Sequence, residues 1–445
     1  MGQSETSQRL RLLLLGKSPR SAKEICQQLE ISQPVFSRAL ATLKAEILIS
    51  GRARATRYAL RREIPGVGSS IPLFRVDAEG VVAHFANLQA IHPKGFFLEV
   101  NAEKSQGQFF EDLPYLLDDL RPAGFLGRLV PKAHPVVGYP QDIRNWNSDH
   151  CLHYFTNFGW NLIGDLILGE PALEIFLKRS QGQAIQNSPI ISERDRPFAY
   201  PKLASEVLTF GDAGSSAGGE QPKFLVVGKK AETLTHLLVK FSPRQQGALA
   251  QRRADLLVCE HIAHQTLSRF GKAAAQSEIL QSDSTTFLEV QRFDRIGING
   301  RKGIISLAAL DAQFVGSVGT WKAASQQLLV RGTVDEATHQ EICWLELFGR
   351  SIGNTDMHLW NISFFTEDNK VTALTPVYDM LPMLYAPQHE QLIERQLEPP
   401  VESPLYGAIF KEVTEAAAAF WRAVSVDQRI SAEFREIARK NITPL

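Results

Sequence analysis

The chain has 445 residues, 44% of them apolar and 22% charged, with 48 basic side chains against 48 acidic ones, a composition that excludes a largely disordered protein and leads us to expect two or three globular domains. Its four cysteines, Cys26, Cys151, Cys259 and Cys343, form no CxxC pair, which argues against a zinc ribbon or a disulfide framework. No apolar run approaches the roughly 20 residues that span a bilayer, and the polar opening MGQSETSQR does not resemble a signal peptide, so a cytoplasmic protein without membrane contact is expected.

The zero net charge conceals an asymmetry. Residues 1–62 hold nine Arg and three Lys against four Glu, a net of +8, which points to a polyanionic partner at this end only. Leu10, Leu13 and Leu14 recur at helical spacing before Gly16. Ser21 and Glu24 form a capping box for a second helix running to about Leu29. Ser32 is placed to cap a third helix, with Pro34 in its first turn and Phe36, Leu40 and Leu43 along one face. Two short strands, 47–50 and 56–60, then flank a Gly-Arg-Ala-Arg-Ala turn. This order resembles winged helix-turn-helix domains. It makes Gln33, Ser37, Arg38 and Lys44 candidates for the major groove, and Arg52, Arg54 and Arg57 candidates for phosphate or the minor groove. A small basic module that binds protein is the competing reading. The stretch 63–72, EIPGVGSSIP, is expected to be a linker.

Residues 73–196 mix short alternating runs with helices and carry no catalytic pattern of their own. Asp149, His150 and His153 lack metal-ligand spacing. From residue 197 the chemistry becomes readable. FGDAGSSAGGEQPKF, residues 210–224, is a Gly-Ser loop able to cradle phosphates, with Lys223 at its end. The strand 235–241 carries Lys240 among apolar residues, where an amine needs a charged partner. A long helix, 248–270, presents Glu260 on an apolar face. Kinases use a strand lysine held by a helix glutamate in this way. Strand 286–293 offers backbone groups of Glu289, Gln291 and Phe293 to an adenine edge.

In GNTDMHLWNIS, residues 353–363, Asp356 precedes Asn361 by five positions. That is the spacing of a kinase catalytic loop, in which Asp accepts a hydroxyl proton and Asn holds a metal. A hairpin then returns the chain so that Asp379 can join Asn361 as a second oxygen ligand for Mg²⁺. The boundaries implied are 1–62, a linker over 63–72, 73–196, an N-lobe over 197–295 and a helical C-lobe over 296–445. The fold class is multidomain α+β, a winged helix-turn-helix followed by a bilobal protein-kinase-like fold.

The segments SSAGGEQPKF, LLVKF, VQRFDR, IGNTDMHLWNIS and LTPVYDML, in this order, are closely similar to the HipA family of serine/threonine kinase toxins, in particular its YjjJ (HipH) type. FFEDLP with RPAG, residues 109–114 and 121–124, resembles the N-terminal region of that family. The resemblance implies an ATP- and Mg²⁺-dependent protein kinase that arrests growth by acting on a translation-related protein, with an aminoacyl-tRNA synthetase as the type of target. It makes Asp356 and His358 catalytic and places Ser215, Ser216, Ala217, Gly218, Lys223, Lys240, Glu260, Glu289, Gln291 and Phe293 around ATP. It further implies autophosphorylation at Ser215 and an antitoxin partner. The family's loop commonly reads D-x-H-x-K-N, and here Trp360 stands in place of the lysine. A DNA-binding transcriptional regulator with a catalytically weak, nucleotide-sensing kinase-like domain is the alternative, and the intact Lys240, Asp356, Asn361 and Asp379 argue against it.

Overall fold

A computed structural model describes residues 3–100, 107–136, 138–182, 189–210, 221–244, 247–316, 319–389, 391–403, 407 and 409–442. The chain forms two compact units. One comprises residues 1–121 with 144–183, the other residues 122–143 with 184–445.

The first unit begins with the helices Gln3–Gly16, Ala22–Leu29 and Gln33–Thr42. Ser21 and Glu24 form the expected capping box. Ser32 occupies the cap position of the third helix but makes no side-chain bond there, so that start relies on Pro34 and the extended cap backbone. Strands Ile47–Ser50 and Arg57–Leu60 pair antiparallel, and Arg20–Ser21 adds a third short strand against the latter. Leu10, Leu14, Ile25, Phe36, Ala39, Ile47 and Leu60 make the core beneath the helices. The opposite side of the hairpin shares a second cluster, Leu48 and Ala59 with Ile91 and Phe97, with the sheet that follows.

That sheet is antiparallel and five-stranded, in the order Gln108–Phe110, Phe96–Val100, Val82–Ala90, Ser70–Val76, Leu166–Leu168. The stretch 63–72 is therefore no linker. Ile64 is buried in the core of this sheet, its N–H donates to the Gly68 carbonyl at 3.0 Å, and the first strand already starts at Ser70. The Pro, Gly and Ser residues form a tight turn between two buried isoleucines, Ile64 and Ile71, and composition alone does not separate such a turn from a tether. Arg62 reinforces the junction through an ion pair with Asp149, 2.9 Å from Nη2 to Oδ1.

The second unit takes residues 122–143 and 184–196 out of the region expected to be one middle subdomain. Helix Gly124–Ala133 packs on helix Arg196–Phe210 and strand Lys223–Lys230, and strand Ile190–Ser192 pairs parallel with the latter. The resulting sheet runs Ser277–Ser282, Thr285–Gln291, Thr233–Phe241, Lys223–Lys230, Ile190–Ser192. Tyr200, Phe224, Phe241 and Phe287 fill one of its faces, and helix Ala248–Arg269 packs against its strands. Beyond it lie a small sheet, Gly303–Ser306, Ser363–Glu367 and Lys370–Leu374, and the helices Leu307–Phe314, Trp321–Val330, Glu336–Ser351, Ile409–Val426 and Ala432–Lys440. Trp321, Trp344, Phe348, Phe420 and Trp421 are fully buried among these helices. Among the described residues no helix is long and apolar enough to cross a membrane.

Candidate active site

Strand alternation places the amine. Val239 and Phe241 point into the apolar core, so Lys240 between them points to the other face of the sheet. There its Nζ lies 2.7 and 2.8 Å from the two carboxylate oxygens of Glu260, which projects from the helix Ala248–Arg269. The same Nζ donates to Oδ1 of Asp379. Lys240 and Glu260 are buried, and two ions removed from water are tolerated only with good geometry and a full set of partners. Burial alone would depress the Lys240 ammonium, but Asp379 and Glu260 together outweigh it and hold the amine above its ordinary value. Burial pushes the Glu260 carboxyl up against the pull of Lys240. Asp379 is affected by burial in the same sense, yet Lys240 and Lys223 bring it down to about 2. Its backbone is left-handed, with φ of 52°, a conformation that Asp tolerates better than most residues and that aims the carboxylate at the amine.

The backbone of the loop 353–361 makes four hydrogen bonds with side chains. The Asn354 side chain spans two parts of the site: Oδ1 accepts from the Asp356 N–H at 3.1 Å, and Nδ2 donates to the Asp379 carbonyl at 3.3 Å. Asn361 Nδ2 donates to the Asp356 carbonyl at 2.8 Å. The buried Trp321 donates Nε1–H to the His358 carbonyl at 2.9 Å, and Tyr378 donates its hydroxyl to the Trp360 carbonyl at 2.7 Å. Gly353, with φ of 78°, opens the loop where a side chain would be strained. Within this frame the Asp356 carboxylate is 57% exposed, with His358 Nε2 at 3.9 Å. An exposed carboxylate on a rigid backbone can accept a hydrogen bond from an incoming hydroxyl.

One hydrogen-bonded path thus joins Glu260, Lys240, Asp379, Asn354, Asp356 and Asn361. Lys223 joins the same face, since it pairs directly across from Lys240. Other expected residues fall elsewhere. Glu289 is a correction: it sits in a central strand between two neighbours, and its carboxylate is held by Arg196 at 2.7 and 2.8 Å, so it belongs to the framework and is not open to an adenine edge. The Gln291 N–H is likewise taken up by the Gln276 carbonyl at 2.8 Å. Phe293 packs its ring against Tyr378 and Phe365, with centroids 5.7 and 6.1 Å away. Ser215, Ser216, Ala217 and Gly218 lie outside the described residues.

Asn354, Trp321 and Tyr378 escaped the sequence reading. Asn354 had a local signal, a short amide two residues before the catalytic-type aspartate. Trp321, at a sequence separation of 37 from the carbonyl it holds, had none. In the first unit Gln33, Ser37, Arg38, Lys44, Arg52, Arg54 and Arg57 are all exposed, with Lys44 just beyond the end of the third helix.

Residues 67–177 match the middle domain of YjjJ-like toxins, and residues 215–441 match the HipA-like C-terminal domain. Toxin YjjJ of Escherichia coli strain K12 is 39% identical over 433 residues, covering 96% of this chain and 95% of that protein. A chain from the Shewanella oneidensis MR-1 toxin–antitoxin complex of HipA, HipB and operator DNA superposes with a TM-score of 0.50 at 15% identity, covering 84% of this chain and 92% of that one. A Helicobacter pylori proinflammatory kinase, CtkA, covers 49% of this chain and 88% of its own at a TM-score of 0.35, a likeness too distant to define a fold. With near-complete coverage by a toxin at this identity, and with its C-terminal half matching the HipA-like domain, the chain belongs to the HipA family of toxins, in its YjjJ-like branch.

Proposed function

We propose that the second unit is an ATP- and Mg²⁺-dependent serine/threonine protein kinase through which this toxin arrests growth, acting on a translation-related protein. The observation that carries this reading is the contact of Lys240 with both Glu260 and Asp379, continued through Asn354 to Asp356 and Asn361. Lys240 and Lys223 contribute two positive charges opposite phosphate oxygens, and Glu260 keeps the Lys240 ammonium aimed. Asp356 orients the acceptor hydroxyl in line and takes its proton. Most of the acceleration then comes from positioning and charge, with no covalent intermediate on the protein.

The donor set suits Mg²⁺. Asn361 spends its amide N–H on the Asp356 carbonyl, which leaves its oxygen as the ligating atom, and Asp379 keeps one carboxylate oxygen beyond its bond to Lys240. Hard oxygen donors, few in number, are what Mg²⁺ takes when phosphates and waters complete its shell. Among the described residues no group of three or more His, Cys, Asp or Glu side chains is placed to hold a metal, so phosphates and waters would have to complete the shell around Asn361 and Asp379. When bound, the ion neutralises charge on the phosphates, which the two lysines, already facing two carboxylates, do not fully offset.

For the first unit we propose a winged helix-turn-helix that binds DNA. The third helix would enter the major groove, with Arg52, Arg54 and Arg57 on the wing. All seven proposed contact residues are exposed, and the hairpin is braced from behind by Ile91 and Phe97. Transfer of labelled phosphate from ATP by the full chain, compared with Asp356→Asn and with EDTA present, tests the kinase reading. Equal labelling by wild type and variant would refute it. Binding of the full chain to promoter DNA should weaken steeply with salt, and a salt-insensitive shift would refute the DNA reading.

A further inference from the structure

We infer that Trp360 selects the site of phosphorylation by stacking on a lysine or arginine that flanks the acceptor hydroxyl, an assignment that rests on the kinase function proposed above. In the second unit Trp321, Trp344 and Trp421 are at most 2% exposed, whereas Trp360 is 60% exposed. An indole left in water on a rigid loop marks a contact surface, because tryptophan is costly to expose and is enriched where partners bind. The loop holds it firmly. Its carbonyl accepts the Tyr378 hydroxyl at 2.7 Å, and Tyr378 Oη lies 2.7 Å from Ser363 Oγ.

The indole stands beside the chemistry. Its ring lies 5.9 Å from the His358 ring at a steep angle, and His358 Nε2 lies 3.9 Å from Asp356. Carboxylate, imidazole and indole thus form one exposed strip. A polypeptide that presents a hydroxyl to Asp356 brings the side chains two or three residues away within reach of Trp360, since each residue advances the chain by at most about 3.5 Å.

Charge favours a cation over an apolar side chain at this place. The extended segment 391–403 passes the base of the loop, where a Cβ on Gly353 would lie 3.3 Å from Leu397. It carries the exposed Glu394, Glu398 and Glu402, while its single basic residue, Arg395, bonds to Gln388. The carboxylate shown beside the ring is that of Asp356, reached through His358. An aromatic face in such a field attracts ammonium or guanidinium groups.

The test uses the full-length chain as wild type, Trp360→Phe, Trp360→Ala and Trp360→Lys. The acceptors are synthetic peptides with a central serine and Arg, Leu or Glu placed in turn at each of three positions on either side, and kcat/KM and the KM for ATP are both recorded. The wild type should prefer Arg over Leu at one position by about tenfold, in line with a partly desolvated cation–π contact. Trp360→Ala should lose that preference and Trp360→Phe keep part of it. Trp360→Lys should turn it toward Glu, with the KM for ATP within twofold throughout. Transfer without an arginine preference in the wild type, or with a preference that survives in Trp360→Ala, overturns the assignment alone. Absence of transfer to any peptide, to casein and to the chain itself overturns the kinase reading together with it.

Discussion

The Lys240 ammonium hydrogen-bonds to Asp379 across a sequence separation of 139 residues while its other contacts, at 2.7 and 2.8 Å, go to Glu260. Removing the amine strands a buried carboxylate. Lys240→Met should therefore destabilise the second unit by about 3–5 kcal/mol in urea unfolding. Adding Glu260→Leu should recover most of that loss without restoring phosphate transfer. A double variant as unstable as Lys240→Met would show that Glu260 is not the group left uncompensated.

Asn354 ties the Asp356 amide to the Asp379 carbonyl. Asn354→Ala should cost about 1–2 kcal/mol of stability through lost hydrogen bonds and lower kcat by about 10- to 100-fold, with the KM for ATP changing less than threefold. Trp321→Phe, which removes only the donor to His358, should act in the same direction more mildly. A raised KM with unchanged kcat would contradict a role in fixing the loop.

His264 is buried one helical turn beyond Glu260. Its Nδ1 contacts Ser277 Oγ at 3.0 Å, and among the described residues its Nε2 has no hydrogen-bond partner, the Glu260 carboxylate lying 4.0 Å away. Burial, with the Lys240 charge beside it, pulls its pKa down to about 3, and His261 shifts in the same direction. A histidine depressed in the fold is neutral there and protonates more readily once unfolded. Its contribution is thus complete above the unfolded pKa near 6.5 and is lost as pH falls toward 3. Unfolding free energy should drop by up to about 1 kcal/mol per pH unit below 6.5 on this account. The slope should be shallower in His264→Gln, and parallel slopes would exclude His264 as the source.

Ile64 lies in a stretch whose composition suggests a tether, yet it is fully buried. Ile64→Ala should cost about 2–4 kcal/mol in the first unit, as for a core isoleucine, where a tether residue would cost almost nothing. Limited proteolysis should spare residues 63–72 in the wild type and cut there in the variant.

What the sequence disclosed follows from how local each signal was. The capping box at Ser21 and Glu24 and the buried amine on an alternating strand are short-range patterns that form where they were expected, and the five-residue interval from Asp356 to Asn361 is spanned by one hydrogen bond. Glu289 misled because its backbone was expected to be free for an adenine edge, whereas neighbouring strands pair with it on both sides, at Val239 and Glu278. The linker misled because the burial of Ile64 depends on strands not yet formed in that part of the chain. The segment 122–143 misled for a related reason: its helix has an apolar face, but nothing local says that the face is covered by residues beyond 196.

That last feature bears on biogenesis. Because residues 122–143 belong to the second unit and 144–183 return to the first, the ribosome releases part of each unit before the other is finished. The N-terminal helices and hairpin close their own core early, but the sheet that follows them lacks its edge strand Leu166–Leu168 until late. Helix Gly124–Ala133 emerges with no surface to cover until Arg196–Phe210 and Lys223–Lys230 follow it. A nascent chain halted between these points lacks the contacts of Lys240 with Asp379 and of Asn361 with Asp356, both of which need residues beyond 350.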